Sequence, residues 1–227
     1  MPSVLITGAN RGLGLEFARQ YAADGWRVIA TCREPLRAQA LQALKGDIGR
    51  HALDVTDKLS IGTLVKELGQ TPIDVLLLNA GVHLQKECTL DEVDGARWLR
   101  ELEINTVAPL IVARGLADNV ARSDLRRIVA ISSGGGSISN MKSGGNYAYR
   151  SGKAALNAAM KTLAFDLAPR GITVVPIGPG HTRTDMGGAQ APYGTEDSVV
   201  RVRRVIEGLT FKDSGTFLSR DGAPLPW

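Results

Sequence analysis

Two tyrosines and a lysine stand close together in the stretch YAYRSGK, which spans residues 147–153 and opens an alanine-rich helical pattern. Consecutive residues of an α-helix are turned by about 100°, so side chains four apart share a face of the helix and side chains six apart do not. Tyr149 and Lys153 are four apart, whereas Tyr147 and Lys153 are six apart. The spacing therefore predicts that Tyr149 works with Lys153 and that Tyr147 lines the mouth of the site.

A tyrosine paired with a lysine can serve as the proton donor in the reduction of a carbonyl group. Such a reaction needs a hydride donor, a proton for the oxygen and a group that stabilises the charge developing on that oxygen. A free phenol has a pKa of about 10, and an ammonium group one helical turn away favours the phenolate. We therefore expect Lys153, together with the positively charged oxidised form of the hydride donor, to lower the pKa of Tyr149 and to make it an effective proton donor near neutral pH.

Ser133 gives this pair a context. It follows the apolar run at 127–132, which is typical of a buried strand, and it precedes Tyr149 by a single loop. A residue at the carboxyl end of such a strand lies where ligands bind in open parallel sheets. We predict that the Ser133 hydroxyl hydrogen-bonds the substrate oxygen, whereas Ser132 points to the other face and serves packing or a turn.

A glycine-rich loop follows the first apolar run of the chain. The stretch TGANRGLG, residues 7–14, leads into a helical pattern and has its glycines at 8, 12 and 14. Such glycines permit a tight turn, a close approach of a pyrophosphate to the backbone and close packing of helix on strand, while the helix N-terminus supplies amide donors. The order of strand, glycines and helix predicts a dinucleotide site rather than a bare glycine-rich turn.

Two arginines bear on the choice of dinucleotide. An acidic residue at the end of the second strand binds the ribose 2′-hydroxyl of NAD, whereas an arginine there accommodates the 2′-phosphate of NADP. The second apolar run ends in Arg33, and Arg11 belongs to the glycine loop, so two guanidinium groups could clamp a phosphate. Glu34 argues for NAD unless it caps the next helix. We predict that NADP(H) is preferred over NAD(H).

Short apolar runs alternate with helical patterns along the whole chain. Continuous apolar runs are typical of strands buried on both faces, and strand–helix repetition implies a parallel sheet with right-handed crossovers. We predict an α/β fold with a Rossmann-type doubly wound parallel sheet of about seven strands and helices on both faces, in a single domain over residues 1–227. The predicted strands lie at 3–7, 27–31, 50–55, 74–79, 127–132, 173–178 and, less regularly, 215–219.

The charge pattern argues against several classes of partner. The net charge is +4, with basic clusters at 124–128 and 201–205. These clusters are typical of solvated helix faces and have no interleaved aromatic residues, so we expect no nucleic-acid partner. No apolar run approaches the roughly 20 residues of a membrane span, and the first residues resemble no signal or transit peptide, so we expect a cytoplasmic protein without membrane contact.

The cysteines and histidines indicate no metal site. Cys32 and Cys88 have neither metal-ligand nor redox spacing, and two cysteines are too few for a disulfide framework. His51 and His83 have no partner at metal-ligand spacing. We predict no bound metal, free thiols, and histidines that are structural or exposed.

The glycine spacing, Gly-x3-Gly-x-Gly, resembles that of the short-chain dehydrogenase/reductase family. The resemblance continues through NAG at 79–81, the Tyr-x3-Lys pair and PGHTRT at 179–184, although Leu78 stands where the family commonly has a second asparagine. It implies a catalytic tetrad, which maps onto Asn105, Ser133, Tyr149 and Lys153.

The resemblance also implies roles for individual residues. Lys153 would bind the nicotinamide ribose, Asn105 would help to hold a water that returns the proton, and Thr184 would bond the nicotinamide carboxamide. Asp54 would lie near the adenine. From the residues alone, Asp54 is also explained as a helix cap or turn residue, and Asn105 is also explained as a buried helix-packing amide. The implied cofactor-binding set is Gly8, Asn10, Arg11, Gly12, Leu13, Gly14, Arg33, Asp54, Val55, Asn79, Ala80, Gly81, Tyr149, Lys153, Pro179, Gly180, Thr182 and Thr184.

Finer similarity points to a subgroup of this family. The segments GANRGLG, TCR, YAYRSGKAALNAAMK, TDMGG and DGAPLPW look like those of the sniffer-type carbonyl reductases and the bacterial C-factor proteins. We therefore predict an NADP(H)-dependent oxidoreductase that reduces a ketone, aldehyde or quinone. Its substrate pocket would be lined by 134–146 and 186–194, and His181 stands where these relatives often carry a large aromatic residue.

Two further expectations concern alternatives and assembly. The resemblance to the C-factor proteins also allows an NADP(H)-binding signalling or sensor protein with little turnover, but the intact tetrad favours the enzyme. Small residues along 152–168 permit close helix packing against a second copy. With the habit of the family, they predict a homodimer, with a tetramer as the second option.

Overall fold

A parallel β-sheet forms the centre of the protein in the computed structural model, which describes residues 1–86 and 88–227. Across those residues the sheet has seven strands in the order β3-β2-β1-β4-β5-β6-β7. Every strand pair is parallel. The strands are β1 Ser3–Thr7, β2 Arg27–Cys32, β3 Ile48–Ala52, β4 Val75–Leu78, β5 Arg127–Ile131, β6 Thr173–Gly178 and β7 Leu218–Ser219.

Helices cover both faces of this sheet and create two hydrophobic cores. One core lies between the sheet and the helices α1 and α7, and the other lies between the sheet and α3, α5 and α6. The central strands β1 and β4 are buried along their whole length, which explains why their sequences are apolar without alternation. The helices are α1 Gly12–Ala23, α2 Gln39–Gln42, α3 Lys58–Leu68, α4 Gly95–Leu102, α5 Ala108–Ala121, α6 Tyr147–Leu167 and α7 Thr195–Gly208. The predicted α/β fold is confirmed.

Two strand boundaries differ from the prediction. The third strand runs over Ile48–Ala52 instead of 50–55, because its residues pair in register with Val28–Cys32 and the chain then turns. That turn is made by Asp54, whose carboxylate accepts a hydrogen bond from the backbone N–H of Thr56 at 2.9 Å. The seventh strand is limited to Leu218–Ser219 of the expected 215–219. Gly215 adopts a positive φ of 77°, so the chain is not extended where the run begins.

The strand order creates a crevice at the edge of the sheet where the strands have their carboxyl ends. The chain passes from β1 outward to β3 and then returns to β4 on the other side of β1, so the order reverses between β1 and β4. The loops that leave the carboxyl ends of such strands diverge and leave a crevice, which is where ligands bind in this architecture. The glycine loop, the NAG segment and Ser133 all follow strands at this edge.

The described residues form neither a membrane-spanning helix nor a cluster of metal ligands. None of the described helices is both long enough and apolar enough to cross a membrane. The described residues also contain no group of three or more histidine, cysteine or acidic side chains that could hold a metal ion.

Candidate active site

The glycine loop packs so tightly that its glycines cannot be exchanged freely. Gly8 and Gly12 adopt positive φ angles of 69° and 54°. At Gly14, a Cβ atom would lie 2.2 Å from the carbonyl oxygen of Gly8 and 2.5 Å from Nδ2 of Asn79. Helix α1 begins at Gly12, so the amide groups of its first turn face the crevice and can bind a phosphate.

The NAG segment after β4 holds this loop in place. The hydroxyl of Thr7 accepts hydrogen bonds from the backbone N–H groups of Asn79 and Ala80 at 2.9 and 3.0 Å. In return, the Asn79 side chain donates to the carbonyl oxygen of Thr7 at 2.9 Å and to that of Gly8 at 3.3 Å. The two strands on either side of the order reversal are thereby joined through side chains as well as through the sheet.

Helix α6 brings the predicted catalytic pair to the same edge. Nζ of Lys153 lies 5.9 Å from the centre of the Tyr149 ring, and it donates a hydrogen bond of 2.8 Å to the carbonyl oxygen of Ile131 at the end of β5. The side chains of Tyr149 and Ser133 are hydrogen-bonded to one another. Ser133 in turn accepts a bond of 3.0 Å from the backbone N–H of Gly135, which fixes its hydroxyl. Tyr149, Lys153 and Ser133 therefore meet as the spacing predicted.

Burial sets the electrostatics of this pair. Burial raises the pKa of Tyr149, against a lowering by its hydrogen bond with Ser133. Burial also lowers the pKa of Lys153 to about 8. The lysine is buried and points its nitrogen at the carbonyl of Ile131. Desolvation disfavours the phenolate and the ammonium alike, and the lowering of the Tyr149 pKa by Lys153 together with a bound cofactor stays a prediction.

Asn105 lies in a π-helical turn, Glu103–Val107, between α4 and α5, and it has no exposed surface. Its Nδ2 donates to the carbonyl oxygen of Val82 at 2.8 Å, and its Oδ1 accepts from the N–H of the same residue at 2.9 Å. Turns of this kind are frequent at functional sites. The amide thus anchors the segment after NAG; its part in a water relay stays a prediction.

The two arginines predicted to clamp a phosphate have different surroundings in this structure. Arg33 is exposed directly after β2. Arg11 forms an ion pair of 3.0 Å with Asp185, so it connects the glycine loop to the segment after β6. Glu34 pairs with Arg37 at 3.4 Å and makes no side-chain cap on the short helical turn that follows it.

The remaining predicted residues follow the carboxyl ends of β3 and β6. The Asp54 carboxylate accepts hydrogen bonds from the N–H and the hydroxyl of Thr56, which lowers the pKa of the Asp54 carboxyl; its place near the adenine stays a prediction. The methyl group of Thr184 lies 3.6 Å from the Cβ position of Gly12, so this threonine covers the glycine loop. Val55 follows β3, and Pro179, Gly180 and Thr182 follow β6. Of the other predicted residues, Asn10 follows β1, Leu13 lies in the first turn of α1 and Gly81 follows β4.

Other predictions about single residues had mixed outcomes. Ser132 is buried and donates a hydrogen bond of 2.5 Å to Oδ1 of Asn157, so it is a packing residue as predicted. The ring of Tyr147 lies beside Trp98 of α4, with 6.3 Å between ring centres. His51 contacts Glu67 at 3.2 Å. Nε2 of His181 lies 2.7 Å from the carbonyl oxygen of Gly187, so this histidine braces the segment after β6.

Two residues near the reacting groups were missed by sequence reasoning. The ring of His83 stacks on the ring of Tyr149, with 4.5 Å between centres and 27° between planes. Glu101 has no exposed surface, and its Oε2 accepts a hydrogen bond of 3.0 Å from the N–H of Leu84. Available signals were the position of His83 directly after the NAG segment and the spacing of four between Glu101 and Asn105.

Comparisons with known proteins agree with this geometry. A family model described as short chain dehydrogenase matches residues 2–192. The chain is 41% identical to the C-signal of Myxococcus xanthus over 156 residues, which are 69% of this chain and 93% of that protein.

Two solved structures have the same fold over the whole chain. The carbonyl reductase Sniffer of D. melanogaster matches with a TM-score of 0.93 and 34% identity, covering 100% of both chains. The NADPH-bound carbonyl reductase from chicken fatty liver matches with a TM-score of 0.90 and 32% identity, covering 100% of this chain and 99% of that one.

Proposed function

Because the chain belongs to the short-chain dehydrogenase/reductase family, we propose that it is an oxidoreductase that reduces a ketone, aldehyde or quinone with NADPH. One observation carries the proposal: Tyr149 is hydrogen-bonded to Ser133 and has Lys153 beneath it, at the sheet edge that also holds the glycine loop. This set contains a proton donor and a hydroxyl that can orient a carbonyl oxygen. A chain that only bound the dinucleotide would have no need for a proton donor beside a serine hydroxyl.

The glycine loop fits a dinucleotide. The Cβ position at Gly14 is already occupied by the carbonyl oxygen of Gly8, and Gly8 has a positive φ with Ala80 only 3.1 Å from its Cβ position. The loop is therefore shaped to expose backbone rather than side chains to the crevice. NADPH, when bound there, supplies the hydride. The protein's own residues supply the remaining requirements, which are a bound and oriented carbonyl, a proton for its oxygen and exclusion of water.

The proton comes from the phenol of Tyr149 in this proposal. Burial keeps the phenol protonated, and a protonated phenol is the form that can donate to the carbonyl oxygen. Ser133, held by the N–H of Gly135, stabilises the same oxygen as charge develops on it. Lys153, with a pKa of about 8, is the adjacent group that is protonated at neutral pH and favours the phenolate left after transfer.

We further propose that NADP(H) is preferred over NAD(H). Arg33 is exposed at the end of β2 and faces solvent where a 2′-phosphate would arrive. Arg11 belongs to the glycine loop and would contribute to the same phosphate only after leaving Asp185, with which it makes an exposed ion pair. The solved carbonyl reductase from chicken fatty liver is described with NADPH bound, which supports this choice. Equal dissociation constants for NADPH and NADH would contradict it.

The decisive experiment measures NADPH oxidation against a panel of aldehydes, ketones and quinones, in wild type, Tyr149→Phe and Tyr147→Phe. The two variants remove the same hydroxyl from the same helix, so they form a matched pair. We expect turnover of at least one carbonyl, and we expect the Tyr149 change alone to abolish it. Loss of activity in both variants, or in neither, would contradict the assignment of Tyr149.

A signalling or sensor role is the second candidate, since the chain is 41% identical to a protein named C-signal. In that case NADPH would bind with ordinary affinity, yet no carbonyl in a broad panel would be reduced. The retention of Asn105, Ser133, Tyr149 and Lys153 in one cluster favours the enzyme.

We also propose a cytoplasmic homodimer, with a tetramer as the second option, and no nucleic-acid partner. Helix α6 is rich in small residues and leaves Phe165 largely exposed, which suits packing against a second copy. Sedimentation at micromolar concentration tests this proposal, and a monomer alone would contradict it.

A further inference from the structure

The segment from Val82 to Gln85 is fastened to the helix that runs from α4 into the π-helical turn. Asn105 makes both backbone hydrogen bonds of Val82, and Glu101 accepts from the N–H of Leu84 at 3.0 Å. Two side chains four residues apart on one helix therefore hold this segment at both ends.

His83 lies between these two attachment points, and its ring is turned onto the catalytic phenol. The ring centres of His83 and Tyr149 are 4.5 Å apart and their planes differ by 27°, which is a stacked arrangement. A ring stacked at this distance restricts the rotation of its neighbour. The orientation of Tyr149 is thus set by His83 from one segment as well as by Ser133 from another.

The Glu101 side chain has no exposed surface, and its carboxyl interacts with the positive charge of Lys153. A buried carboxylate is costly unless it is paired or hydrogen-bonded, and an apolar residue would fill the same space more cheaply. Its Oε2 accepts the hydrogen bond of Leu84, and its Oε1 is buried without a hydrogen-bond partner among the described residues. Burial raises the pKa of the Glu101 carboxyl, and the attraction of Lys153 opposes that rise. Its charge therefore belongs to the electrostatics of the reacting groups.

We propose, on the basis of the reductase function above, that Glu101 and His83 are positioning residues for proton transfer. Glu101 holds the 82–85 segment and provides a negative charge facing Lys153, and His83, carried by that segment, keeps the Tyr149 ring in the orientation that donates its proton.

The charge of Glu101 has a definite sign of effect. Glu101 raises the pKa of Tyr149 and the pKa of Lys153, because a negative charge disfavours the phenolate and favours the ammonium. Among the described residues, Glu101 from α4 and His83 from the segment after β4 face Tyr149 and Lys153 of α6. Replacing Glu101 with a neutral residue should therefore move the titration of the phenol to lower pH.

Three variants separate the mechanical support of the Tyr149 ring from the effect of the Glu101 charge. Glu101→Gln keeps an oxygen for the Leu84 amide and removes only the charge. His83→Phe keeps a ring to stack on Tyr149, and His83→Ala removes it; His51→Ala, at a histidine far from the reacting groups, is the control. The readouts are kcat against pH, the dissociation constant of NADPH, and the phenolate absorbance of Tyr149, isolated by subtracting the titration of Tyr149→Phe.

We expect His83→Ala to lower kcat roughly tenfold at an unchanged dissociation constant of NADPH, as a misoriented donor would, and His83→Phe to recover most of the rate. In Glu101→Gln we expect the alkaline limb of kcat and the phenol titration both to move to lower pH. Wild-type kcat in His83→Ala, or equal losses in the Phe and Ala variants, would overturn the role of His83.

A phenol titration in Glu101→Gln that matches wild type would overturn the role of Glu101. This titration needs no turnover, so it distinguishes failure of this inference from failure of the proposed function. If wild type reduces no carbonyl, the reductase proposal fails on that ground, while the titration still decides whether Glu101 sets the state of the phenol.

Discussion

Replacing Gly14 with alanine should weaken the dinucleotide site, although alanine is the better helix former. Gly14 lies in the first turn of α1, where alanine is the better helix former by roughly 1 kcal/mol. Against this, the new Cβ would lie 2.2 Å from the carbonyl oxygen of Gly8, where real Cβ atoms essentially never come closer than 3.0 Å. The neighbouring atom belongs to the backbone, so the loop itself must move by close to an ångström.

The magnitude follows from comparing these two effects. Overpacking of a well-packed region costs roughly 1–3 kcal/mol, which exceeds the gain in helix propensity. The loop must also move away from the position in which its amides face the crevice, so the affinity for NADPH should fall roughly tenfold to a hundredfold, equivalent to about 1.4–2.8 kcal/mol. Stability and affinity should therefore fall together.

Gly62→Ala is the matched control for this change. Gly62 lies in the interior of α3, and nothing lies within 4 Å of its Cβ position. Alanine there should raise the free energy of unfolding by roughly 0.5–1 kcal/mol and leave the affinity for NADPH unchanged. Urea denaturation and fluorescence titration with NADPH measure both quantities. Wild-type affinity for NADPH in Gly14→Ala would refute the assignment of this loop as the phosphate site.

Two other changes test the contacts around the crevice. Thr7→Val keeps the side-chain shape but removes the acceptor of two backbone amides. The free energy of unfolding should therefore fall by roughly 1–3 kcal/mol per amide left unbonded. Urea denaturation measures this loss, and an unchanged midpoint would count against these hydrogen bonds. Asp185→Ala should barely alter the melting temperature, because its ion pair with Arg11 is exposed. The same change should free Arg11 for a 2′-phosphate and tighten NADPH binding about fivefold, or about 1 kcal/mol, without affecting NADH binding. Titration with both nucleotides measures this effect. Equal changes in affinity for NADPH and NADH would contradict a phosphate role for Arg11.

Local patterns in the sequence were enough to predict the architecture. The strands of this sheet are continuous apolar runs because both faces are buried, and that property is visible without knowledge of the partners. The glycine loop and the Tyr149–Lys153 pair were also predictable, since each depends on residues close in the chain and on the geometry of a turn or a helix. The end of the third strand was not, because pairing with β2 ended it at Ala52 while the apolar pattern continued to Val55.

The state of the reacting groups depends on contacts that no local pattern reveals. Lys153 bonds the carbonyl of Ile131, and Tyr149 is stacked by His83, so burial moved both pKa values in directions that the spacing of four did not indicate. Desolvation depends on every segment packed around a group, including segments far away in the chain.

The sequence alone therefore determined which residues reach the carboxyl edge of the sheet, because periodicity and loop chemistry act over a few residues. Only the tertiary structure decided which of them touch. The contacts between Glu101 and Leu84 and between His83 and Tyr149 join segments that are distant in the chain, and such contacts arise from the packing of whole elements.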